Sequence, residues 1–277
     1  MSRVTWVSGA SSGIGPAFAD VASAHEMRVI NVSRRPHPNP RIEHLRVDLS
    51  NPEGWREVER HFDAVLAPGE IRDAIFVHCA GTLNAGGSLL SVEADAYLKA
   101  VLLNAASGQV LGRAFLAAAS RAGCQSATMV MCSAPSASQA AAGMSHYCGG
   151  KAALEHWTRA VGIEMGEGEG APRVFSVVPY CVDTPMLREM ISTSPEEVPV
   201  AALFRDAAGR DVFATPAEAA QEIWAGIDRG LPQGATLTIG APDALDPGAS
   251  RPKPSANTTF TANPSHLTAG RSSLITQ

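Results

Sequence analysis

The feature that most constrains this chain stands near its start. A short apolar run, Val4-Thr5-Trp6-Val7, meets the glycine-spaced turn Ser8-Gly9-Ala10-Ser11-Ser12-Gly13-Ile14-Gly15. The run reads as a buried strand, and the residues after the turn follow a helical pattern through Ala24. A strand, a glycine-rich turn and a helix N-terminus together make an anion site. Glycines let the backbone approach a phosphate, and the free amides at the helix start favour negative charge. The spacing is Gly-x3-Gly-x-Gly rather than the Gly-x-Gly-x2-Gly of the usual dinucleotide fingerprint. Pro16 follows the last glycine directly; in a first helical turn its missing N–H is harmless, so it supports a helix start here.

The rest of the chain alternates between the two periodicities. Strands are expected over 28–32, 45–49, 74–79, 128–132, 174–178 and 236–239. Helices are expected over 51–66, over 92–106 with a continuation or restart toward 122, over 147–164 and over 216–226. This order is that of an α/β, doubly wound parallel sheet with helices on both faces. With 277 residues, 45% hydrophobic and 18% charged, the chain suits one domain, assigned to residues 1–240. From residue 241 the composition shifts to Pro, Ser, Thr, Ala and Asn. That tail, 241–277, is expected to be disordered, because it cannot bury enough apolar surface to offset its ordering entropy.

Charge and composition exclude several functions. A net charge of −5 without a basic run gives no nucleic-acid footprint. No apolar stretch approaches the ~20 residues that span a bilayer, and the N-terminus lacks a signal-peptide pattern. Cys79, Cys124, Cys132, Cys148 and Cys181 are an odd number without a Cys-x2-Cys pair. They read as free thiols in a reducing compartment, so a cytoplasmic protein is expected. The eight histidines form no ligand-spaced cluster, and no metal site is expected.

A second motif lies at Tyr147-Cys148-Gly149-Gly150-Lys151. On a helix, the i, i+4 spacing puts phenol and ammonium on one face. A cation beside a phenol of pKa ~10 favours the phenolate and draws the group toward the working range. Alone, a tyrosine over a lysine is common on helix surfaces. Together with the glycine-rich turn, in this order and at this separation, it resembles the short-chain dehydrogenase/reductase family over about residues 3 to 240. The stretch around Tyr147-Cys148-Gly149-Gly150-Lys151-Ala152-Ala153, with Val182-Asp183-Thr184-Pro185-Met186, is loosely similar to the sepiapterin reductase and benzil reductase branch.

The resemblance implies a single Rossmann-like domain, NADP(H)-dependent interconversion of a carbonyl and a secondary alcohol, and a homodimer or homotetramer. It implies that Tyr147 donates the proton, that Lys151 lowers the phenol's pKa and holds the nicotinamide ribose, and that the backbone carbonyl of Asn104 holds a relay water. It assigns Gly9, Ser11, Ser12, Gly13, Ile14 and Gly15 to the dinucleotide, Asp48 to the adenine amino group with Leu49 beside it, and Ala80 and Gly81 to the adenosine ribose. Pro179, Val182 and Thr184 fall on the loop that approaches the nicotinamide. The end of the second strand selects the cofactor: an acidic residue there suits a ribose 2′-hydroxyl, an arginine a 2′-phosphate. Ser33, with Arg34 and Arg35 behind it, suits the doubly charged phosphate through bidentate pairing. NADP(H) is therefore the expected cofactor. Leu187, Met190, Ile191, Leu203 and Phe204 suggest an apolar substrate pocket for a small molecule.

Four positions, in three places, depart from the family. His78-Cys79-Ala80-Gly81 replaces Asn-Asn-Ala-Gly, and His78 reads as a packed core residue. Tyr180 replaces a glycine, and either crowds the nicotinamide or walls the pocket. The family's carbonyl-polarising serine, thirteen residues before the tyrosine, falls on Ala134. Ser133 is the first stand-in, by way of a bulge in the following loop. Ser136, or no serine at all, remains open. These departures also admit a catalytically impaired NADP(H)-binding protein that acts as a sensor or an oligomer partner.

Overall fold

The computed structural model describes residues 2–240 apart from Pro68, Glu169 and Asp211, together with Leu245 and residues 259–261. The strands are β1 (Ser2–Ser8), β2 (Arg28–Ser33), β3 (Glu43–Arg46), β4 (Ile71–His78), β5 (Ser126–Cys132), β6 (Arg173–Pro179), β7 (Thr236–Ile239) and β8 (Thr259–Thr261). They form one sheet in the order β3-β2-β1-β4-β5-β6-β7-β8. The first seven run parallel, and β8 joins β7 antiparallel. The order reverses between β1 and β4, which opens a crevice beyond the strand C-termini. The helices are α1 (Ile14–Ala24), α2 (Pro52–Val65), α3 (Ala94–Val101), α4 (Ser107–Ala122), α5 (Ser145–Met165), α6 (Pro185–Ser192), α7 (Ala201–Ala208) and α8 (Pro216–Arg229).

Parallel strands are buried on both faces, so alternate side chains feed two cores. On one face Val4 and Trp6 of β1 meet α2 and α4, with Phe62 and Phe115 packed edge-on against the indole and Phe76 edge-on against Phe62. Such aromatic pairs add about 0.5–1.5 kcal/mol each beyond their buried area. On the other face Val7, Val29, Val77 and Val177 pack against Phe18 of α1 and Ile223 and Trp224 of α8. The helix starts carry their own signals. Asn51 caps α2 by accepting from the Glu53 amide, and Thr215 and Glu218 form a reciprocal capping box on α8.

Several boundaries differ from the sequence pattern. The third strand was expected over 45–49, but β3 ends at Arg46. Val47 and Leu49 are buried in the core while their backbone leaves the sheet, with Val47 N–H on the Ser33 carbonyl. Between α3 and α4 the chain does not restart: Leu102–Ala106 is a π-helical turn, in which Ser107 N–H reaches back to the Leu102 carbonyl. The continuous helical run Ala94–Ala122 is apolar and long enough to cross a bilayer, contrary to the sequence expectation. Half of its most apolar window is buried within the protein, which is the environment of a core helix. The tail expected to be disordered lies mostly outside the described residues. Within it, Thr259–Thr261 is the edge strand β8, and Leu245 packs near Cys181, Ala207 and Val212.

Candidate active site

A cavity of about 610 Å³ opens at the C-terminal ends of the strands. One corner of it is the β1–α1 turn. Gly9 and Gly13 both have φ of 72°, a conformation that costs an L side chain. A Cβ at Gly9 would stand 3.0 Å from the Ala80 backbone, and one at Gly15 would stand 2.5 Å from the Gly9 carbonyl oxygen. Gly13 caps α1, and no side chain caps the first-turn amides. Gly9, Ser11, Ser12, Gly13 and Ile14 line the cavity. Gly15 does not; it is buried beneath, where only a hydrogen lets α1 sit on the turn.

The far corner lies at the end of β2. Ser33, Arg34 and Arg35 line it, with both guanidinium-bearing residues exposed and Ser33 buried. The Ser33 hydroxyl donates to the Arg35 carbonyl at 2.7 Å, and the Asn31 amide donates to the same oxygen at 2.9 Å. Those two bonds fold the turn and fix where the arginines leave it. Asp48 and Leu49 form the adjoining wall. Partial burial raises the Asp48 carboxyl, but bonds from the Ser50 hydroxyl and amide and the charge of Arg34 outweigh it and hold the group below the usual carboxylate range.

At the opposite end α5 presents Tyr147 and Lys151. Lys151 is buried, and its Nζ donates to the Cys132 carbonyl at 2.7 Å. Nζ lies 5.6 Å from the centre of the Tyr147 ring. Burial lowers the lysine's pKa, partly opposed by the thiols of Cys132 and Cys79. The expectation for Tyr147 is reversed. Burial of its hydroxyl, and then the negative character of Cys132 and Cys148, push the phenol well above its ordinary value. At neutral pH it is a proton donor, and it donates to the Met186 thioether at 3.7 Å. Asn104 lies in the π-helical turn, wholly buried and outside the cavity lining. Its side chain closes a two-way bond with the Thr82 backbone, at 2.8 and 2.9 Å. A Cβ on Gly150 would stand 3.2 Å from the Asn104 carbonyl oxygen, so that glycine lets α5 pass close to this backbone.

Three residues stand around the position expected to hold a serine. Ala134 occupies the expected slot and lines the cavity, as do Ser133 and Ser136. The Ser133 hydroxyl is engaged: it donates to Glu155 Oε2 at 2.9 Å, and Glu155 is also paired with Arg159. Ser136, on the single turn Pro135–Ala137, has a buried hydroxyl with no hydrogen-bond partner. Ser133, the first expected stand-in, thus has its hydroxyl engaged, while the buried hydroxyl of Ser136 has no partner.

The remaining expected positions are met in part. Ala80, Gly81, Pro179, Val182 and Thr184 line the cavity. Thr184 also caps α6 by accepting from the Leu187 amide. Tyr180 is a wall residue. His78 is a core group. The Ser8 hydroxyl accepts from Ala80 N–H and can donate to His78 Nδ1 at 2.9 Å, while Ser107, whose hydroxyl donates to the Leu103 carbonyl, accepts from Nε2 at 3.3 Å. Burial, with the charge of Lys151 second, pushes this imidazole down to about 3. Of the apolar residues expected at the substrate end, Leu187, Met190 and Phe204 line the cavity, while Ile191 and Leu203 do not, and Leu203 is exposed. Sequence reasoning missed Met186, Met144, Leu83 and the pairing of Cys79 with Cys132, whose Sγ atoms lie 3.1 Å apart. Cys132 ends β5 and Cys79 follows the end of β4, but nothing local to either says that β4 and β5 are neighbours.

A family model described as enoyl-(acyl carrier protein) reductase matches residues 9–224. The fold is similar to that of an aldohexose dehydrogenase from Thermoplasma acidophilum solved without ligand. Identity is 20%, the TM-score is 0.73, and the match covers 91% of this chain and 98% of that one. A 4-hydroxyisoleucine dehydrogenase solved with NADH is 20% identical with a TM-score of 0.69, covering 86% of this chain and 97% of that one. A short-chain dehydrogenase from Sphingobium yanoikuyae solved with NADPH is 19% identical with a TM-score of 0.65, covering 85% and 87%. A search of curated proteins returns no match.

Proposed function

The chain belongs to the short-chain dehydrogenase/reductase family, and from that premise we propose that it is an NADP(H)-dependent oxidoreductase interconverting a carbonyl and a secondary alcohol. The observation that carries this reading is the convergence of Tyr147, Lys151, the glycine-rich turn and Arg34 on one cavity. The residues present fit the dinucleotide. The turn offers uncapped amides for a pyrophosphate, and Arg34 and Arg35 offer planar, permanently charged donors for a 2′-phosphate. Bound NADPH supplies the hydride. Tyr147, neutral by burial, gives its proton to the substrate oxygen as negative charge develops there. Lys151 holds the nicotinamide ribose and places positive charge behind the phenol, stabilising the phenolate that remains. Asn104, held to the Thr82 backbone in the π-helical turn, orders through its own backbone carbonyl the water that returns the proton. Ser136 donates its free hydroxyl to the substrate oxygen.

The catalytic domain in this reading is residues 1–240, acting in the cytoplasm on a small carbonyl compound as a homodimer or homotetramer. Leu187, Met190 and Phe204 favour an apolar substrate. The engagement of Ser133 by Glu155, with Ala134 in the family's slot, favours a second reading, that of a cofactor-binding protein with little turnover.

Fluorescence titration with NADPH and NADH tests the cofactor assignment. NADPH is expected to bind at least tenfold more tightly, or about 1.4 kcal/mol; equal or reversed affinities remove it. NADPH oxidation against ketones, aldehydes, diketones and pteridines, with an enoyl thioester alongside, then tests the reaction. Tight NADPH binding without turnover on any of them selects the second reading.

A further inference from the structure

Cys79 and Cys132 sit side by side at the exits of β4 and β5. The parallel register ends on the pair His78 and Met131, so the next residues, the two cysteines, face each other one step beyond the ladder. Neighbouring strands lie about 4.8 Å apart, within the Cα separations of ~4.4–6.8 Å that a disulfide spans. Both side chains enter the same core cluster, and their sulfurs are 3.1 Å apart. Both residues also line the dinucleotide cavity, which gives a small oxidant a path to them. Cys124, Cys148 and Cys181 have no such partner thiol among the described residues.

We propose that Cys79 and Cys132 are an oxidisable dithiol, a modification site for peroxides, and that its disulfide closes the cavity to the dinucleotide. Cys132 is the attacking sulfur, since the Cys79 S–H bond and the Lys151 ammonium favour its thiolate. The Cys132 thiolate attacks hydrogen peroxide, the O–O bond breaks, and a sulfenic acid and water result after proton uptake. The Cys79 thiol then attacks that sulfur. The S–S bond forms, the S–O bond breaks, and a second water leaves. Two thiols lose two electrons and two protons, and the peroxide becomes two waters.

The location turns this chemistry into control. To bond, the sulfurs close from 3.1 Å to about 2.04 Å. Cys132 carries the carbonyl that anchors Lys151, and the Cys79–Ala80 peptide is the surface on which Gly9 packs. Drawing the two strand ends together therefore disturbs both the lysine anchor and the phosphate turn. By linkage, a bound dinucleotide opposes oxidation as strongly as the disulfide opposes binding. This last step rests on the NADP(H) reading above; the thiol pair itself does not.

The test is peptide mass mapping of the full chain after brief hydrogen peroxide treatment, with and without saturating NADP⁺. The expected result is a peptide pair joined through Cys79 and Cys132, lighter by two hydrogens, reversed by dithiothreitol and formed at least fivefold more slowly with NADP⁺. The joined protein is expected to bind NADP⁺ at least tenfold more weakly by titration, with recovery on reduction. In Cys79→Ser, Cys132 has no resolving thiol and is expected to advance to sulfinic acid, whereas Cys124→Ser leaves the joined pair unchanged. Cys79 and Cys132 remaining thiols while Cys124 oxidises, or joining to other partners, overturns the proposal. A joined pair that binds NADP⁺ unchanged overturns the cavity-closing step. A pair that forms at the same rate with NADP⁺, in protein that never binds NADP⁺, supports the dithiol and overturns the cofactor reading.

Discussion

The two ends of the cavity are built from different materials. At the β1–α1 corner every constraint is a backbone approach: Gly9 against Ala80, and Gly15 against the Gly9 carbonyl. At the β5–α5 corner the constraints are side chains committed to particular partners: Ser133 to Glu155, Lys151 to the Cys132 carbonyl, Tyr147 to Met186. Backbone contacts of the first kind admit only glycine, so they leave a mark in the sequence. Side-chain commitments of the second kind leave none, because a serine reads the same whichever way its hydroxyl points.

The sharpest way to break the contrast is Tyr147→Phe. It removes the proton donor but keeps the ring's packing, so turnover should fall roughly 10²- to 10⁴-fold while NADPH affinity stays within a few fold. Steady-state rates and fluorescence titration check it; a variant retaining most of its turnover means that another group protonates the substrate. The serines refine the same corner. Ser136→Ala should lower kcat by about 10² at unchanged NADPH affinity, by analogy with loss of one oxyanion donor. Ser133→Ala should change kcat by less than about threefold, since its hydroxyl already serves Glu155. The reverse ranking would show that the Ser133–Glu155 bond opens during catalysis.

At the backbone corner, Gly15→Ala forces a methyl toward the Gly9 oxygen. Relief of that overpacking should cost about 1–3 kcal/mol in urea denaturation and weaken NADPH binding together with stability. Loss of stability with unchanged binding would separate the turn's structural role from its phosphate role.

A pH effect on stability concerns His78, which is held between Ser8 of β1 and Ser107 of α4. Its folded pKa of about 3 lies below the unfolded value, so the unfolded chain binds more protons across that window. Stability from its neutral burial is therefore complete above the unfolded pKa of ~6.5 and lost as pH falls below it. At pH 5.5 the loss is about 1.4 kcal/mol. In denaturant titrations, His78→Asn should flatten the slope between pH 5.5 and 7. An unchanged slope would assign it to other groups.

Element order was legible throughout the parallel sheet, because strand and helix periodicities are local and the runs are long. β7 matches the expected 236–239, and α1 ends at Ala24 as expected. The helices α6 and α7 were missed, since each has only eight residues and no long apolar stripe. Most expected dinucleotide residues do line one cavity, because they stand at strand ends, and strand ends of a parallel sheet converge on one edge. Asn104 and Gly15 are near that edge but behind it.

What the sequence determined by itself was the framework: a glycine turn that only a close backbone approach requires, a tyrosine and lysine one helical turn apart, and two arginines where the second strand ends. Local spacing encodes all three. What only the tertiary structure decided was how the groups at the catalytic end are spent. Ser133 turns to a helix twenty-two residues away, burial rather than Lys151 sets the Tyr147 phenol, and two cysteines fifty-three positions apart become neighbours. Each of these depends on which strand lies beside which, and on the dielectric that packing creates around a charge. Neither quantity is a property of any local stretch of chain.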